Sequence, residues 1–320
     1  MRLNSFEDFT PLREVILGSA DAYAQRLRDL SFDMFISDNL TGARGYYPSI
    51  TEWRPSAERE RRNEPARYAL KSRLLDELIE DVEGLAGQLR DLGVTVHRPM
   101  ALEPDVTVAA PGWTSAVTPP LNVRDNTLIL GDEIIETPPT LRARYFETQL
   151  LKPIFQDYFR QGARWTTMPR PMMTDASFDP DNLASAAPNI EAPEPPRPSA
   201  YDVGVEIMID GANCLRLGRD LIVNISNANH ALACDWLERH LAGRFRVHRM
   251  HKLTQSHIDS VVIALRPGLL LIRSERVLDF LPPALRTWDT IVAPTPEIHD
   301  YPQYENDDPI PASPYIDLNL

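Results

Sequence analysis

Three aspartates stand in equivalent places in the sequence, each just before a pair of short apolar segments: Asp125, Asp210 and Asp259. Such a pair, with glycine at or near its turn, is typical of a β-hairpin. A single aspartate beside a turn usually caps that turn, but recurrence in three units favours a shared role. If the units surround a common axis, the three carboxylates converge and repel one another, unless a cation lies between them or one acid takes up a proton.

The cation expected between these acids is a metal ion, a guanidinium or an amine, and the acids alone do not decide among them. Magnesium and calcium prefer oxygen ligands, but the sequence has no compact loop of the EF-hand type. A guanidinium fits well, because its planar fork donates two parallel hydrogen bonds to a carboxylate.

A histidine and an arginine add to this set of candidate site residues. His257 lies two residues before Asp259. On a strand, residues i and i+2 share a face, so both side chains would point toward the acids, where a histidine could transfer protons near neutral pH. Arg276 follows the third apolar pair and is either an anchor for a carboxylate or part of a surface ion pair. Cys214 and Cys234 are interpreted as packing residues of a strand and a helix.

The elements that would position these residues form a repeat of strand, strand, helix and strand. The turn glycines Gly218 and Gly268 lie 50 residues apart, which is the length of one unit. An N-terminal unit has a strand, a long amphipathic helix and a second strand. The predicted hairpins, helices and closing strands are Asn126–Glu136, Leu141–Arg160 and Trp165–Met168; Cys214–Ser226, Asn229–Leu241 and Phe245–Met250; Ser260–Arg273, Glu275–Arg286 and Thr290–Ala293; and, for the N-terminal unit, Arg13–Gly18, Ala66–Leu92 and Val94–Arg98.

The composition fits one α/β domain over residues 1–320. Hydrophobic residues are 43% and charged residues 25%, and 33 basic against 46 acidic residues give a net charge of −13. This balance argues against nucleic-acid partners and anionic lipid surfaces, and the absence of a signal-peptide pattern or a long apolar run predicts a cytoplasmic protein. Two cysteines argue against a disulfide framework. Prolines cluster in an insertion at about 170–203 and a loop at about 294–314.

Eight segments resemble one known family in order and in spacing: Pro11–Gly18, Val123–Pro138, Arg142–Glu147, Asp157–Pro171, Ile209–Val223, Trp236–Leu241, His257–Ser260 and Ala293–Glu297. Together they resemble the amidinotransferases, which include glycine amidinotransferase and the inosamine-phosphate amidinotransferases. The resemblance implies the pentein α/β-propeller, built from strand–strand–helix–strand units around a pseudo-fivefold axis, with the fifth unit incomplete in this chain. It also implies transfer of the amidino group of L-arginine to an amine acceptor through a covalent amidino-cysteine, with release of ornithine and without a metal or an organic cofactor.

The same resemblance implies a role for each candidate residue. Asp210 and His257 match the catalytic acid and histidine, and Asp125 and Asp259 match acids that bind the cationic groups of the donor. Two further residues match the anchor of the donor's α-carboxylate: Arg276 and Ser313. The implied partners are L-arginine and an acceptor amine that the sequence does not identify, and a homodimer is compatible with this assignment.

The resemblance also predicts a cysteine that the sequence does not contain. The family's nucleophile lies in a glycine-rich segment near the C-terminus, and neither Cys214 nor Cys234 occupies that position. Tyr315–Leu320 alternates like the opening strand of a fifth unit, so we expect either a longer enzyme or a truncated, inactive relative. Three alternatives remain: an arginine-deiminase-like hydrolase, a non-catalytic protein that binds guanidino compounds, and an interaction protein whose acids only cover a solvated surface.

Overall fold

The computed structural model describes residues 3–21, 31, 51–54, 67–70, 72–103, 106–177, 206–251, 253 and 257–294. Strands and helices alternate along these residues. In chain order the elements are β1 (Glu14–Ile16), β2 (Thr51–Arg54), β3 (Arg67–Leu70), α1 (Ser72–Asp91), β4 (Thr95–His97), β5 (Thr107–Ala110), β6 (Trp113–Ala116), α2 (Val123–Asn126), β7 (Thr127–Leu130), β8 (Glu133–Glu136), α3 (Lys152–Arg160), β9 (Arg164–Thr167), β10 (Cys214–Leu217), β11 (Asp220–Ile225), α4 (Ala228–Leu241), β12 (Arg246–His251), β13 (Val262–Arg266), β14 (Leu269–Ile272), α5 (Val277–Phe280) and β15 (Asp289–Val292).

Three three-stranded sheets repeat the predicted topology. In each, an antiparallel hairpin is followed by a helical segment and by a third strand that pairs in parallel with the second: β7–β8–β9, β10–β11–β12 and β13–β14–β15. All three hairpins turn at a glycine with positive φ: Gly131, Gly218 and Gly268. The repeat predicted from the sequence is therefore present in these three units.

The third unit has much less helix than the sequence predicts. The pattern indicated a helix from about Glu275 to Arg286, but α5 covers four residues and is followed by a short 3-10 turn, Leu285–Thr287. Two consecutive prolines, Pro282 and Pro283, lie between them. Proline lacks the amide hydrogen that a helix interior requires, so the helix ends before this pair.

The N-terminal unit is confirmed in part. β1 and β4 pair in parallel, and α1 between them ends just before Gly93, which has a φ of 80°. The predicted start of the helix at Ala66 is wrong, because residues Arg67–Leu70 form β3, which pairs with β2 in antiparallel register. Interstrand hydrogen bonds outweigh the helical periodicity of these four residues. The sequence also did not predict the hairpin β5–β6.

Neighbouring sheets share their cores. Because strand side chains alternate between two faces, β10 contributes Cys214 to one hydrophobic cluster and Leu215 to the next. The first cluster joins the hairpins β7–β8 and β10–β11 to α4, and the second joins β10 and β11 to β13 and β14. The second and third sheets are thus packed side by side. The described strands form separate sheets and no closed barrel.

A short segment near the N-terminus, Ser5–Asp8, runs across two of these sheets, and we call it the N-terminal strap. Its first residue forms a β-bridge with Gly131 at the turn of β7–β8, and its third residue forms one with Leu217 at the end of β10. The ring of Phe6 lies so close to Gly131 that a Cβ atom there would be 2.9 Å away. The strap therefore joins two neighbouring units that both lie far from it in the sequence.

Among the described residues, no helix combines the length and apolar character needed to cross a lipid bilayer. Several sequence predictions concern residues outside the described ranges: most of the proline-rich insertion at about 170–203, nearly all of the loop at about 294–314, and the strand Tyr315–Leu320.

Candidate active site

The predicted acids lie on short helical turns, each directly before a hairpin. α2 carries Asp125 ahead of β7, and Asp210 precedes the 3-10 turn Gly211–Asn213 ahead of β10. Asp259 lies in a third such turn, Ile258–Ser260, ahead of β13. A strand was predicted around His257 and Asp259, and this was wrong: His257 is the extended residue before the turn, and Asp259 is inside it.

The structure nevertheless brings the predicted acids and the histidine together. His257 Nε2 lies 3.0 Å from Asp210 Oδ2, within hydrogen-bond distance. His257 Nδ1 lies 3.6 Å from Asp125 Oδ1 on the other side of the ring. Asp125 and Asp210 are only 5% and 4% exposed. Acids that merely covered a solvated surface would be exposed, so this arrangement disfavours the interaction-protein alternative.

The acids determine the protonation of the imidazole. Burial lowers the pKa of His257, but the hydrogen bond with Asp210 and the charges of Asp125, Asp210 and Asp259 outweigh it and raise the pKa to about 9. Burial alone would raise the pKa of Asp210, yet the hydrogen bond and the charge of His257 hold it below its ordinary value. Near pH 7 the pair is therefore an imidazolium and a carboxylate.

Arg144 contacts Asp125, and Glu147 in turn contacts Arg144. The sequence did not single out either residue individually. Arg144 Nη1 lies 2.7 Å from Asp125 Oδ2, and Arg144 Nε donates to Glu147 Oε1 at 2.8 Å. Glu147 also accepts hydrogen bonds from the side chains of Thr118 and Asn126. Burial lowers the pKa of Arg144, but the charges of Glu147 and Asp125 raise it well above its ordinary value. Arg144 is thus a fixed cation behind Asp125.

Asp259 has its own cation. Arg124 Nε lies 3.2 Å from Asp259 Oδ2, and Arg124 Nη2 donates to the carbonyl oxygen of Cys214 at 3.3 Å. Arg124 directly precedes Asp125 on α2, so this one turn contributes both an acid and a cation to the centre.

Taken together, the centre has one more acid than cations. Its charged side chains are Asp125, Asp210, Asp259 and Glu147 against Arg124, Arg144 and protonated His257. Among the buried side-chain atoms of the described residues, two carboxylate oxygens of this centre have no hydrogen-bond partner, Asp210 Oδ1 and Asp259 Oδ1. A buried acceptor without a donor is costly, so the centre is suited to a ligand with one positive charge and several N–H groups.

The same geometry bears on metal binding. Ligand atoms of Asp125, Asp210 and His257 all lie within 4.8 Å of one another, close enough to share an ion. A metal-bound imidazole must be deprotonated, so an ion here would displace the proton that the acids place on His257. The two buried acceptors without partners among the described residues, Asp210 Oδ1 and Asp259 Oδ1, are satisfied by a cation that carries N–H donors.

A close backbone contact keeps two of the turns together. A Cβ atom at Gly211 would lie 2.6 Å from the carbonyl oxygen of Arg124. Only glycine fits such an approach, so Gly211 allows the turn after Asp210 to pack against α2.

The remaining residues singled out from the sequence are Arg276, Ser313 and the two cysteines. Arg276 is exposed at the start of α5. Ser313 lies outside the described residues. Cys214 and Cys234 are both buried, and burial raises the pKa of each thiol to about 12. Neither cysteine has the low pKa of a nucleophilic thiolate.

Comparison with known proteins gives this site a family context. Inosamine-phosphate amidinotransferase 1 of Streptomyces glaucescens is 36% identical over 224 residues, which are 69% of this chain and 60% of that protein. The L-arginine:L-lysine amidinotransferase of Pseudomonas savastanoi pv. phaseolicola is 32% identical over 247 residues, or 75% of this chain and 64% of that protein. The solved structure of an inosamine-phosphate amidinotransferase from Streptomyces griseus matches with a TM-score of 0.71 and 29% identity, over 93% of this chain and 76% of that one.

Fold and site thus define an α/β protein with a buried carboxylate–histidine centre suited to a cation. The chain is a homologue of the amidinotransferases, which confirms the resemblance stated from its sequence. It spans about 60% of the length of the curated Streptomyces relative that it matches. No protein-family model matches the chain.

Proposed function

We propose that this protein is an amidinotransferase that takes the amidino group of L-arginine and transfers it to an amine, with release of ornithine. The observation that carries the proposal is the buried centre in which His257 contacts two carboxylates while Asp210 Oδ1 and Asp259 Oδ1 lack donors among the described residues. A guanidinium has the charge and the N–H groups that these oxygens require. The name of the Pseudomonas relative includes L-arginine, which supports the choice of donor.

In the proposed chemistry, a thiolate attacks the guanidinium carbon of L-arginine and forms a carbon–sulfur bond. The bond between that carbon and the side-chain nitrogen that ornithine retains then breaks, and protonated His257 gives its proton to the departing amine of ornithine. The incoming amine next attacks the amidino carbon and loses a proton to His257. Cleavage of the carbon–sulfur bond returns the thiolate, so atoms and protons balance over the cycle.

Each acid has a distinct proposed role in this cycle. Asp210 holds the imidazolium of His257 and stabilises positive charge beside it. Asp125 and Asp259 accept hydrogen bonds from the guanidinium of the donor. Each of them also pairs with an arginine of the protein, Asp125 with Arg144 and Asp259 with Arg124. Arg276 and Ser313 are proposed to bind the α-carboxylate of the donor, because these positions match the family's anchor residues.

The thiol is proposed to come from a cysteine outside residues 1–320. Cys214 and Cys234 are buried in the shared core and have pKa values near 12, so neither is suited to form the covalent intermediate. We further propose the complete pentein propeller as the fold that brings the glycine-rich, cysteine-bearing segment to the centre, and a single domain over residues 1–320 as the part of it that this chain forms.

The decisive experiment follows the carbon of the guanidino group. The full-length protein is incubated with L-arginine labelled at that carbon and with candidate amines, including L-lysine and an inosamine phosphate. Label that appears on the amine together with free ornithine supports the transferase. Label that stays in citrulline identifies a hydrolase, and binding of L-arginine without either product identifies a non-catalytic relative. His257→Gln and Asp210→Asn variants should lose label transfer, with Arg164→Gln as an exposed control.

A further inference from the structure

Arg124 lies between the candidate site and the N-terminal strap. Its Nε is 3.2 Å from Asp259 Oδ2, and its Nη2 donates to the carbonyl oxygen of Cys214 at 3.3 Å. Its Nη1 is 4.0 Å from Asp8 Oδ2 in the strap. The guanidinium is thus held by groups from three separate parts of the chain.

We propose that Arg124 is a positioning residue of the site: it keeps Asp259 ionised and occupies one of its oxygens, so that the other oxygen is left for a cationic ligand. Oδ2 of Asp259 is the oxygen paired with Arg124, and Oδ1 is buried without a hydrogen-bond partner among the described residues. The inference rests on the proposed function, in which Asp259 binds the guanidinium of L-arginine.

Asp259 needs a cation beside it because its surroundings disfavour a negative charge. Burial raises the pKa of Asp259, and the charge of Asp125 acts in the same direction. The charges of Arg124 and His257 act against both, yet the pKa stays above its ordinary value. Without Arg124 the carboxyl would take up a proton at a higher pH, and a neutral carboxyl cannot form an ion pair with a guanidinium.

Other charged and titratable groups also lie around Asp259. A substitution of Arg124 alone leaves these groups in place. The groups on elements that pack against the turn of Asp259 are Asp125 on α2, His257 and Asp210 ahead of the 3-10 turns, Cys214 and Arg216 on β10, Arg266 at the far end of β13, and Asp8 beyond Arg124. Within the described part of the chain, Arg124 is the residue in ion-pair contact with Asp259.

This role predicts opposite effects of Arg124 on ligand binding at low and high pH. Below the pKa of Asp259 in a variant without Arg124, the acid is neutral and the ligand loses a partner. Above that pKa, Asp259 is ionised in both proteins, and the variant lacks a cation that repels the ligand. A side chain that only supports the fold would instead weaken binding at every pH.

The first test measures Asp259 without any ligand. Carbon-13 NMR of labelled aspartate carboxyls follows the titration of Asp259 in the wild-type protein, Arg124→Gln and Arg124→Lys. We expect the pKa of Asp259 to rise by about 1–3 units in Arg124→Gln, the range typical for loss of an adjacent arginine. Arg124→Lys should return it to within about half a unit of the wild-type value, because the positive charge is kept. Arg164→Gln is the matched control. Arg164 lies at the start of β9, beside Asp132 in the turn of hairpin β7–β8, and its substitution should leave the pKa of Asp259 unchanged.

The second test measures the affinity for L-arginine by calorimetry at pH 5.5 and pH 8.5. For Arg124→Gln we expect weaker binding than wild type at pH 5.5, by up to about tenfold per unit of pKa shift, and an affinity at least equal to wild type at pH 8.5. An unchanged Asp259 titration, an equal loss at both pH values, or a Lys variant that behaves like the Gln variant would overturn the role of Arg124. If the wild-type protein binds no L-arginine, the proposed function fails, while the carboxyl titration still decides whether Arg124 controls Asp259.

Discussion

At the scale of single residues, the ring of His257 lies between two carboxylates and is therefore a proton donor at neutral pH. Its Nε2 contacts Asp210 at 3.0 Å, and its Nδ1 is 3.6 Å from Asp125. An imidazolium suits the first half of the proposed reaction, in which an amine must leave with a proton. For the second half the pKa must fall, and the positive charge of the amidino group on the thiol would lower it, because like charges disfavour each other.

The raised pKa of His257 predicts a pH-dependent contribution to stability. Its folded-state value is about 9 against an ordinary value of 6.5. The stabilisation is thus fully present below pH 6.5 and is lost as the pH rises through 9, with a size of at most about 3 kcal/mol. We expect the difference in free energy of unfolding between wild type and His257→Gln to shrink over this window. Urea denaturation followed by tryptophan fluorescence from pH 6 to 10 measures it, and a constant difference would contradict the assigned protonation.

The sequence predicted part of this centre for a clear physical reason. Asp125, Asp210 and Asp259 occupy equivalent places in a repeat, and units packed side by side bring equivalent places together. Apart from their place in the family-like segment Arg142–Glu147, Arg144 and Glu147 have only a local signal, a pair of opposite charges at i and i+3. Nothing in that spacing indicates that Arg144 also reaches Asp125, because this contact depends on how α2 packs against the chain after β8.

At the scale of elements, the site is built from three short turns and not from the strands that follow them. α2 and the turn Gly211–Asn213 pack directly against each other, with no room for a side chain at Gly211. The sequence located the hairpins well, because alternation and turn glycines are local signals. It did not distinguish β3 from the start of α1, because the pairing of β3 with β2 is a tertiary contact.

Gly211→Ala should therefore disturb the centre without changing any of its charged residues. The new methyl group would meet the carbonyl oxygen of Arg124 and push Asp210 away from α2, at a cost of about 1–3 kcal/mol of stability. Because Asp210 would no longer lie as close to His257, the pKa of His257 should fall from about 9 toward 6.5. Imidazole NMR titration and thermal unfolding measure the two effects.

Gly87→Ala is the matched control for this change. Gly87 lies within α1, and a Cβ atom there would meet nothing within 4 Å. Alanine favours helix over glycine by about 1 kcal/mol, so this variant should be at least as stable as wild type and should leave His257 unchanged. Equal behaviour of the two variants would mean that the close contact at Gly211 does not hold the site together.

At the scale of the whole molecule, repeated sheets share cores, and the N-terminal strap joins two of them. The amide of Gly131 donates to the carbonyl of Ser5, and the amide of Gly218 donates to the carbonyl of Phe6. Arg216 on β10 contacts both Ser5 and Asp8 in the strap. The sequence did not predict the strap, because so short a segment without periodicity gives no indication of its distant partners along the chain.

Removal of the strap should expose these two turns to solvent. In a variant that lacks residues 1–8, we expect the amide hydrogens of Gly131 and Gly218 to exchange at least about tenfold faster than in the intact protein, since each loses its acceptor. The amide of Gly162, which donates to Phe159 within the turn after α3, is the internal control. Hydrogen exchange followed by NMR measures all three, and uniform acceleration would indicate general destabilisation.

The strap also has a consequence for the order in which this protein can assemble. Its two β-bridges join Ser5 to Gly131 and Glu7 to Leu217, so both are distant in sequence and costly in loop-closure entropy. During synthesis the strap leaves the ribosome long before either hairpin exists, and each of its two bridges can form only after the hairpin that it contacts has been made. Asp8 therefore reaches Arg124 late, and the electrostatic environment of Asp259 is completed only when the nascent chain has closed the long loop between the strap and β10.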